Sequence, residues 1–137
     1  MNHSKSLKIF FMLFISVFVF SSCEREPQKL SYRIESDSGC MEESRGHITK
    51  KDKAIVYRGN HDEMYIKHIN VLYDCKADSI TIDARVRDNY IVVRENEYAE
   101  DNDCSCPRTI SYVIEKIPSG KYIVVVNDDT IGSILIY

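Results

Sequence analysis

Between Leu30 and Tyr137, apolar residues recur at every second position, and this alternation is the feature that most constrains the fold. It is clear in residues 30–34 and 80–86, while residues 122–126 form an almost continuous β-branched run. A period of two places apolar side chains on one face of a strand, whereas a helix needs a spacing of three or four. No stretch of this region has a convincing helical period. The domain is therefore predicted to be all-β.

Turn residues divide this region into about seven to eight short strands. Asp88 and Asn89 tolerate the positive φ of a two-residue hairpin turn, and a turn at this point places Val86 opposite Ile91. Residues 127–129, which are Asn and two Asp, indicate a second tight turn. Many short strands separated by turns are typical of two sheets packed face to face. We expect an antiparallel β-sandwich.

Residues 1–22 have the features of a secretory signal peptide. Lys5 and Lys8 precede an uncharged apolar run at residues 9–20. As a helix this run would reach about 18 Å, well short of the ~30 Å hydrocarbon core of a bilayer. A segment of this kind is predicted to be removed on export rather than to remain as a membrane span.

Cys23 follows a short stretch that matches a lipidation signal. Phe20, Ser21 and Ser22 precede it, and this string resembles the lipobox of bacterial lipoproteins, with Phe20 at the position usually held by Leu. The resemblance implies that Cys23 becomes the acylated first residue of the mature chain, which makes the membrane a partner. The alternative is an ordinary signal peptide with an incidental cysteine.

The exported part is predicted to consist of a short charged tether at residues 23–29 and one β-sandwich domain at residues 30–137. All five Phe lie within residues 1–20 and Trp is absent, so the core must be aliphatic with Tyr. Of the 18 basic side chains of the chain, 16 remain without Lys5 and Lys8 against 21 acidic ones, which leaves an acidic domain that has no basic run. This balance argues against nucleic acid and anionic lipid surfaces as partners.

The other four cysteines are predicted to form disulfides. Cys40, Cys75, Cys104 and Cys106 are an even number in an exported domain, and three connectivities are possible. In an extended segment Cys104 and Cys106 would have Cα atoms about 6.6 Å apart with side chains pointing the same way, which suits a disulfide poorly. Each of these two is therefore expected to pair with Cys40 or Cys75, in either arrangement.

Two metal sites are the alternatives to a domain without metal or cofactor. A soft metal could use His68, Cys75, Cys104 and Cys106, but a regular strand sends His68 and Cys75 to opposite faces and the spacing lacks paired C-x₂-C knuckles. Alone, His68 is expected to be a hydrogen-bonded strand residue. Residues 95–103 are predicted to form an acidic, solvated loop, which could bind calcium but lacks EF-hand spacing.

Residues 117–124, which contain Gly120 and Tyr122, resemble the tyrosine corner and following strand of immunoglobulin-like and fibronectin-like sandwiches. In such a corner the Tyr hydroxyl bonds upstream backbone, and Gly120 would leave space for the turn. The alternative is a half-buried strand tyrosine. More widely, residues 64–137 resemble small uncharacterised lipoproteins of Bacteroides-like bacteria, through His68, Cys75, the Cys-Ser-Cys-Pro string at 104–107 and this corner. The resemblance implies an immunoglobulin-like fold and a location at the outer membrane or cell surface.

No catalytic motif is present: the chain has no G-x-S-x-G, no H-E-x-x-H and no glycine-rich phosphate loop. We therefore expect no catalytic residues and a non-catalytic interaction or structural module with a protein or glycan partner. A small-ligand binder for glycans is the alternative, and its aromatic platform would have to be Tyr. Clustered exposed Tyr with nearby acids would favour a glycan. A flat apolar patch or an unpaired edge strand would favour a protein.

Overall fold

The structure is a computed structural model that describes residues 26–40, 51–98 and 104–137, so the predicted signal peptide and Cys23 lie outside it. Within these ranges the chain forms nine strands and no helix. None of the described residues belongs to a helix long and apolar enough to cross a membrane. The strands are β1 (Gln28–Lys29), β2 (Ser31–Asp37), β3 (Lys53–Arg58), β4 (Met64–Asp74), β5 (Ser79–Arg87), β6 (Tyr90–Tyr98), β7 (Ser105–Glu115), β8 (Gly120–Val126) and β9 (Asp129–Ile136).

The strands form two sheets, one of five strands in the order β1-β5-β6-β8-β9 and one of four in the order β2-β7-β4-β3. The predicted β-sandwich is confirmed. Among the described pairs, β6 and β8 run parallel and the others run antiparallel. The parallel pair arises because the chain leaves β6 for β7 in the other sheet before it returns as β8, which a two-residue hairpin cannot do.

Two tight hairpins set the register of the five-stranded sheet. Val86 lies opposite Ile91 across the β5–β6 turn, as predicted, and Asp88 in that turn has a φ of 53°. Asn127 and Asp128 join β8 to β9 with φ values of 48° and 70°. The two consecutive positive φ values at Asn127 and Asp128 match the right-handed twist of the strands that they join. The apolar side chains of both hairpins therefore face the same way.

The core lies between the two sheets and is aliphatic with tyrosine. Eleven large side chains of the described residues are essentially inaccessible, ten of them in this core, and each of these contributes about 1.5–3 kcal/mol by leaving water. The eleven are Tyr112, Met64, Ile66, Ile91, Ile110, Ile114, Ile136, Val93, Val113, Val124 and Val126. Of these, Val113 points out of the sandwich, because Tyr112 and Ile114 beside it belong to the central cluster.

A bulge in β4 changes which side chains face the core. Ile66 and His68 point inward, the pairing with β7 then shifts between His68 and Val71, and Asn70 has a φ of 58°. A bulge adds one residue, so the inward positions change from even to odd numbers and include Tyr73. The period of two expected throughout Leu30 to Tyr137 is therefore interrupted in β4, and Leu72, an even-numbered residue after the bulge, is 51% exposed.

The sheet begins before the predicted start of the domain. Gln28 and Lys29 pair with β5, and the Leu30 amide donates to the carbonyl of Ala84 at 2.8 Å. The last two residues of the predicted tether therefore lie in the five-stranded sheet, with exposed side chains. This pairing holds Gln28 and Lys29 against the edge of β5.

Candidate functional site

Two disulfides lie where β4 ends and β7 begins. Cys40 bonds Cys106 and Cys75 bonds Cys104, with Cα–Cα distances of 5.6 and 5.5 Å. The predicted disulfide framework is confirmed, and each cysteine of the 104–106 segment has a distant partner as expected. The sulfur atoms of Cys40, Cys75 and Cys106 lie within 4.8 Å of one another, so the two bridges are neighbours.

The soft-metal alternative is wrong for these residues. Cys75, Cys104 and Cys106 are in disulfides, and Nδ1 of His68 lies 2.7 Å from a carboxylate oxygen of Glu95. A bulge could bring His68 and Cys75 to the same face, because it turns the odd-numbered positions that follow it in β4 towards the core. The strand ends at Asp74, however, so Cys75 lies beyond it. As expected, His68 is a hydrogen-bonded strand residue.

The predicted acidic loop at residues 95–103 is also wrong in its first part, because β6 continues to Tyr98. Glu95 follows Ile91 and Val93 at an inward position, and its side chain is 0% exposed. Glu97 accepts a hydrogen bond from the Asp74 amide at 2.6 Å. The apolar alternation of β6 stops at Glu95 because a carboxylate occupies this inward position, so the sequence pattern does not indicate the last part of the strand. Residues 99–103 lie outside the described part of the chain.

Four side chains surround the carboxylate of Glu95. The Tyr112 hydroxyl donates to Oε1 at 2.7 Å, and the Tyr73 hydroxyl and Asn127 Nδ2 donate to Oε2 at 2.8 and 2.9 Å. His68 Nδ1 lies 2.7 Å from the same Oε2. His68 and Tyr73 come from β4, Tyr112 from β7 and Asn127 from the β8–β9 turn. The cluster therefore links the two sheets.

The charge on Glu95 is stabilised by these partners. Burial raises the pKa of the Glu95 carboxyl, but the interactions with His68, Tyr112 and Tyr73 outweigh it, so the pKa lies below the usual value. Burial, reinforced by the nearby carboxylate, raises the pKa of both tyrosines, which stay protonated donors. Because Glu95 is inaccessible and both of its oxygens are occupied, the cluster is suited to holding the fold rather than to binding a substrate.

The turn before β8 contains the hydrogen bond that a tyrosine corner requires. The Tyr122 hydroxyl donates to the carbonyl of Pro118 at 2.9 Å, and Tyr122 is 6% exposed. A Cβ on Gly120 would lie 3.1 Å from the Tyr122 hydroxyl oxygen. Gly120 therefore leaves the space that the tyrosine ring occupies.

The outer face of the five-stranded sheet carries an apolar stripe. We define it by Tyr90 and Val92 of β6, Ile123 and Val125 of β8, and Leu135 of β9. Tyr90 pairs with Ile123 and Val92 with Val125. Tyr90 is 43% and Leu135 45% exposed. Because the inward positions of these strands alternate with the stripe, its side chains point away from the core.

A groove beside the stripe is lined mainly by arginines. This arginine groove has a volume of about 280 Å³ and is formed by Pro27, Asp83, Arg85, Arg87, Val92 and Arg94. Nε of Arg85 donates to both carboxylate oxygens of Asp83 at 3.1 and 3.2 Å. The lining thus contains three arginines and one aspartate. The sequence alone does not indicate this site, because Arg94 is brought to β5 only by the pairing of the strands.

The outer face of the four-stranded sheet carries a pair of tyrosines. Tyr57 of β3 lies directly opposite Tyr65 of β4, and Tyr57 is 51% exposed. Partial burial and the nearby Glu35 carboxylate raise the pKa of the Tyr65 hydroxyl. Glu63 also lies near Tyr65. This face therefore combines an aromatic pair with carboxylates.

No protein-family model, curated protein or solved structure matches the chain. Its two outer sheet faces are accordingly the features from which a function can be inferred.

Proposed function

We propose that the protein is a non-catalytic interaction module, held at the outer membrane or cell surface by a lipid on Cys23, which presents its apolar stripe to a protein partner. The stripe is the observation that supports this function. Tyr90 and Leu135 expose large apolar side chains side by side with the rest of the stripe on an outer sheet face, and clustered exposed apolar side chains are characteristic of protein interfaces. The two disulfides suit an exported protein in an oxidising compartment.

The buried Glu95 cluster supports a module without chemistry of its own. His68 and Glu95 are the kind of pair that transfers protons in enzymes, but their side chains are only 7% and 0% exposed. A general base must reach the proton that it removes, directly or through one water. In this fold His68 and Glu95 face each other inside the sandwich, so they stabilise it.

Site-specific photo-crosslinking in living cells tests the interaction face. A photoreactive phenylalanine analogue at Tyr90 or Leu135 should give a discrete protein adduct, because both side chains project from the stripe. The same analogue at Lys67, exposed on the other outer face, is the matched control and should give none. Leu135→Glu should abolish the adduct formed from position 90. Equal adducts from position 67, or none from 90 and 135, would contradict the proposal.

The lipid anchor is tested separately by the intact mass of the protein from the membrane fraction. The expected species begins at Cys23 and carries acyl chains, since two or more chains hold a protein stably where one is marginal. Cys23→Ser should move the protein to the soluble fraction. A soluble wild-type species that begins at another residue would rule the anchor out.

Glycan binding is the second candidate, and the Tyr57–Tyr65 pair favours it. Tyrosine rings can stack on sugar faces while Glu35 and Glu63 accept hydrogen bonds from hydroxyl groups. Affinity electrophoresis in gels that contain envelope polysaccharide should show retardation of the wild type that Tyr57→Ala removes. Tyr98→Ala is the control, because Tyr98 is 69% exposed and lies on the other sheet. Equal retardation of the wild type and Tyr57→Ala would exclude this surface.

A further inference from the structure

We propose that the arginine groove binds a phosphate group. The groove adds a second binding site to the face that carries the apolar stripe, on the side nearest to β1. Its lining holds three guanidinium groups, one carboxylate and the apolar side chains of Pro27 and Val92. A guanidinium is a planar fork whose donors match two oxygens of a phosphate at once.

Strand pairing brings the arginines within reach of one small anion. Arg85 and Arg87 lie on the same face of β5, and Arg85 pairs with Val92 of β6. Arg94 follows Val92 by two residues on that face, so it is the diagonal neighbour of Arg85. Neighbours across and along a sheet face are about 5–8 Å apart, a distance that long side chains span easily. The guanidinium groups can therefore converge on one group.

The acids near Arg85 and Arg94 do not neutralise these two arginines firmly. Asp83 binds Arg85, Glu26 lies close enough to act on Arg85 electrostatically, and Arg94 lies 3.8 Å from Asp128. Arg94 and Asp128 are 64% and 85% exposed, and Arg85 is 53% exposed. Ion pairs in this much water contribute little and exchange readily for a better partner. A phosphate that offers several oxygens would compete well for these donors.

The acidic composition of the whole chain does not determine the charge at the arginine groove. The formal net charge is −3, which argued against anionic partners, but charge complementarity acts over roughly a Debye length of 8–10 Å. Within that distance the groove contributes three of the positive charges of the chain. The residues that line the groove, three arginines and one aspartate, therefore carry a net positive charge although the chain as a whole is acidic.

The position of the groove indicates where a phosphate would be met. Gln28 is the first residue paired in the sheet and follows Cys23 by five positions, a span of at most about 18 Å. This step rests on the proposed lipid anchor: if Cys23 is acylated, Pro27 and the groove stay close to a lipid surface. Phosphates of lipid headgroups are concentrated there. A soluble phosphate compound is the other source of the same chemistry.

Vesicle binding by the exported chain with Cys23→Ser tests the groove without the anchor. The probes are phosphatidylglycerol vesicles and vesicles given the same surface charge by oleate, a carboxylate. The wild type should bind phosphatidylglycerol more tightly. Arg85→Gln and Arg94→Gln should each weaken binding about fivefold and together about thirtyfold. Lys67→Gln, on the opposite outer face, is the matched control and should change binding by less than twofold. Unchanged urea midpoints should show that all variants are folded.

Titration with inorganic phosphate, followed by NMR of the arginine side chains, separates the two sources. Shifts of Arg85 and Arg94 with phosphate but no vesicle binding would support the phosphate site and assign it to a soluble compound. No response to either probe would overturn the proposal, as would equal binding to oleate vesicles or an equal loss in Lys67→Gln. The intact mass of the wild type from membranes tests the anchor independently, so failure of the anchor and failure of the groove are distinguishable.

Discussion

His68 Nδ1 on the four-stranded sheet lies 2.7 Å from Glu95 Oε2 on the five-stranded sheet, so a directional polar contact crosses a core that is otherwise aliphatic and aromatic. The other nitrogen of His68 lies 3.7 Å from Asp52, which is largely exposed. Apolar packing tolerates small slides of one sheet over another, whereas a carboxylate with four partners accepts only one arrangement. The cluster therefore fixes the relative position of the two sheets.

We expect Glu95→Gln to destabilise the fold by about 2–4 kcal/mol, because the neutral amide is a weaker acceptor and leaves buried donors poorly paired. The size of the side chain is unchanged, so the loss reports the charge and hydrogen bonds rather than a cavity. Urea denaturation gives the free energy of unfolding. Glu115→Gln is the control, because Glu115 pairs with Arg33 at the surface. Equal midpoints for wild type and Glu95→Gln would show that the cluster contributes nothing.

The pH dependence of stability should carry the signature of Glu95. Its pKa is lower in the folded protein than the usual value, so ionisation favours folding. That contribution is complete above the unfolded pKa of about 4.3 and is lost as the pH falls through the lower folded pKa. Other carboxyls titrate in the same range, so the measurement is the difference between wild type and Glu95→Gln. The difference should shrink as the pH falls below about 4. Parallel curves throughout would contradict the ionised cluster.

Local patterns in the sequence predicted local structure correctly. The β5–β6 hairpin depends on a two-residue turn and on side chains within a few positions of it, and Val86 faces Ile91 as expected. The cysteine count and the geometry of an extended Cys-x-Cys segment likewise indicated disulfides between distant residues. In both cases the prediction depends on backbone geometry within a few residues: the turn between β5 and β6, and the spacing of Cys104 and Cys106 in an extended segment.

The features that the sequence did not predict depend on contacts between distant residues. Glu95 is tolerated inside the sandwich because three other strands or turns supply donors, and none of them is adjacent in sequence. The bulge before Val71 changes the inward face of β4 without a proline or glycine to mark it. The arginine groove, in turn, needs the pairing of Asp83 with Arg94 across two strands.

Peptide mapping without reduction should find Cys40 linked to Cys106 and Cys75 linked to Cys104. Removing a bridge as a double Ser variant should cost up to about 4.5 kcal/mol for the first and about 3.5 kcal/mol for the second, because their sequence separations are 66 and 29. Burial also makes the loss of the first bridge more costly than the loss of the second, since Cys106 is buried and Cys104 is exposed. Alkylation of the unreduced protein should add no mass at these residues. Labelling of two or more of them would refute the framework.

Tyr122→Phe should destabilise the fold by about 1–2 kcal/mol without unfolding it, because it keeps the packed ring and deletes only the hydrogen bond to the Pro118 carbonyl. Denaturant midpoints at constant m-value provide the measurement. Tyr90→Phe is the control, because Tyr90 is 43% exposed on the apolar stripe and should change nothing. A Tyr122→Phe midpoint equal to that of the wild type would mean that the hydroxyl exchanges its bond for water at no cost.

The effects of Gly120→Ala and Tyr122→Phe on the free energy of unfolding should be coupled. An added Cβ would lie 3.1 Å from the Tyr122 hydroxyl oxygen and 3.2 Å from the ring carbon that bears it, so the ring must shift by a few tenths of an ångström. Gly120→Ala also stiffens the unfolded chain, which favours folding by a similar amount in any background. The informative quantity is therefore the double-mutant cycle. Gly120→Ala should be at least about 0.5 kcal/mol more destabilising in the wild type than in Tyr122→Phe, where the closest atom is gone. Additive effects of the two substitutions would show that the turn accommodates a Cβ by moving elsewhere, and that Gly120 does not serve the corner.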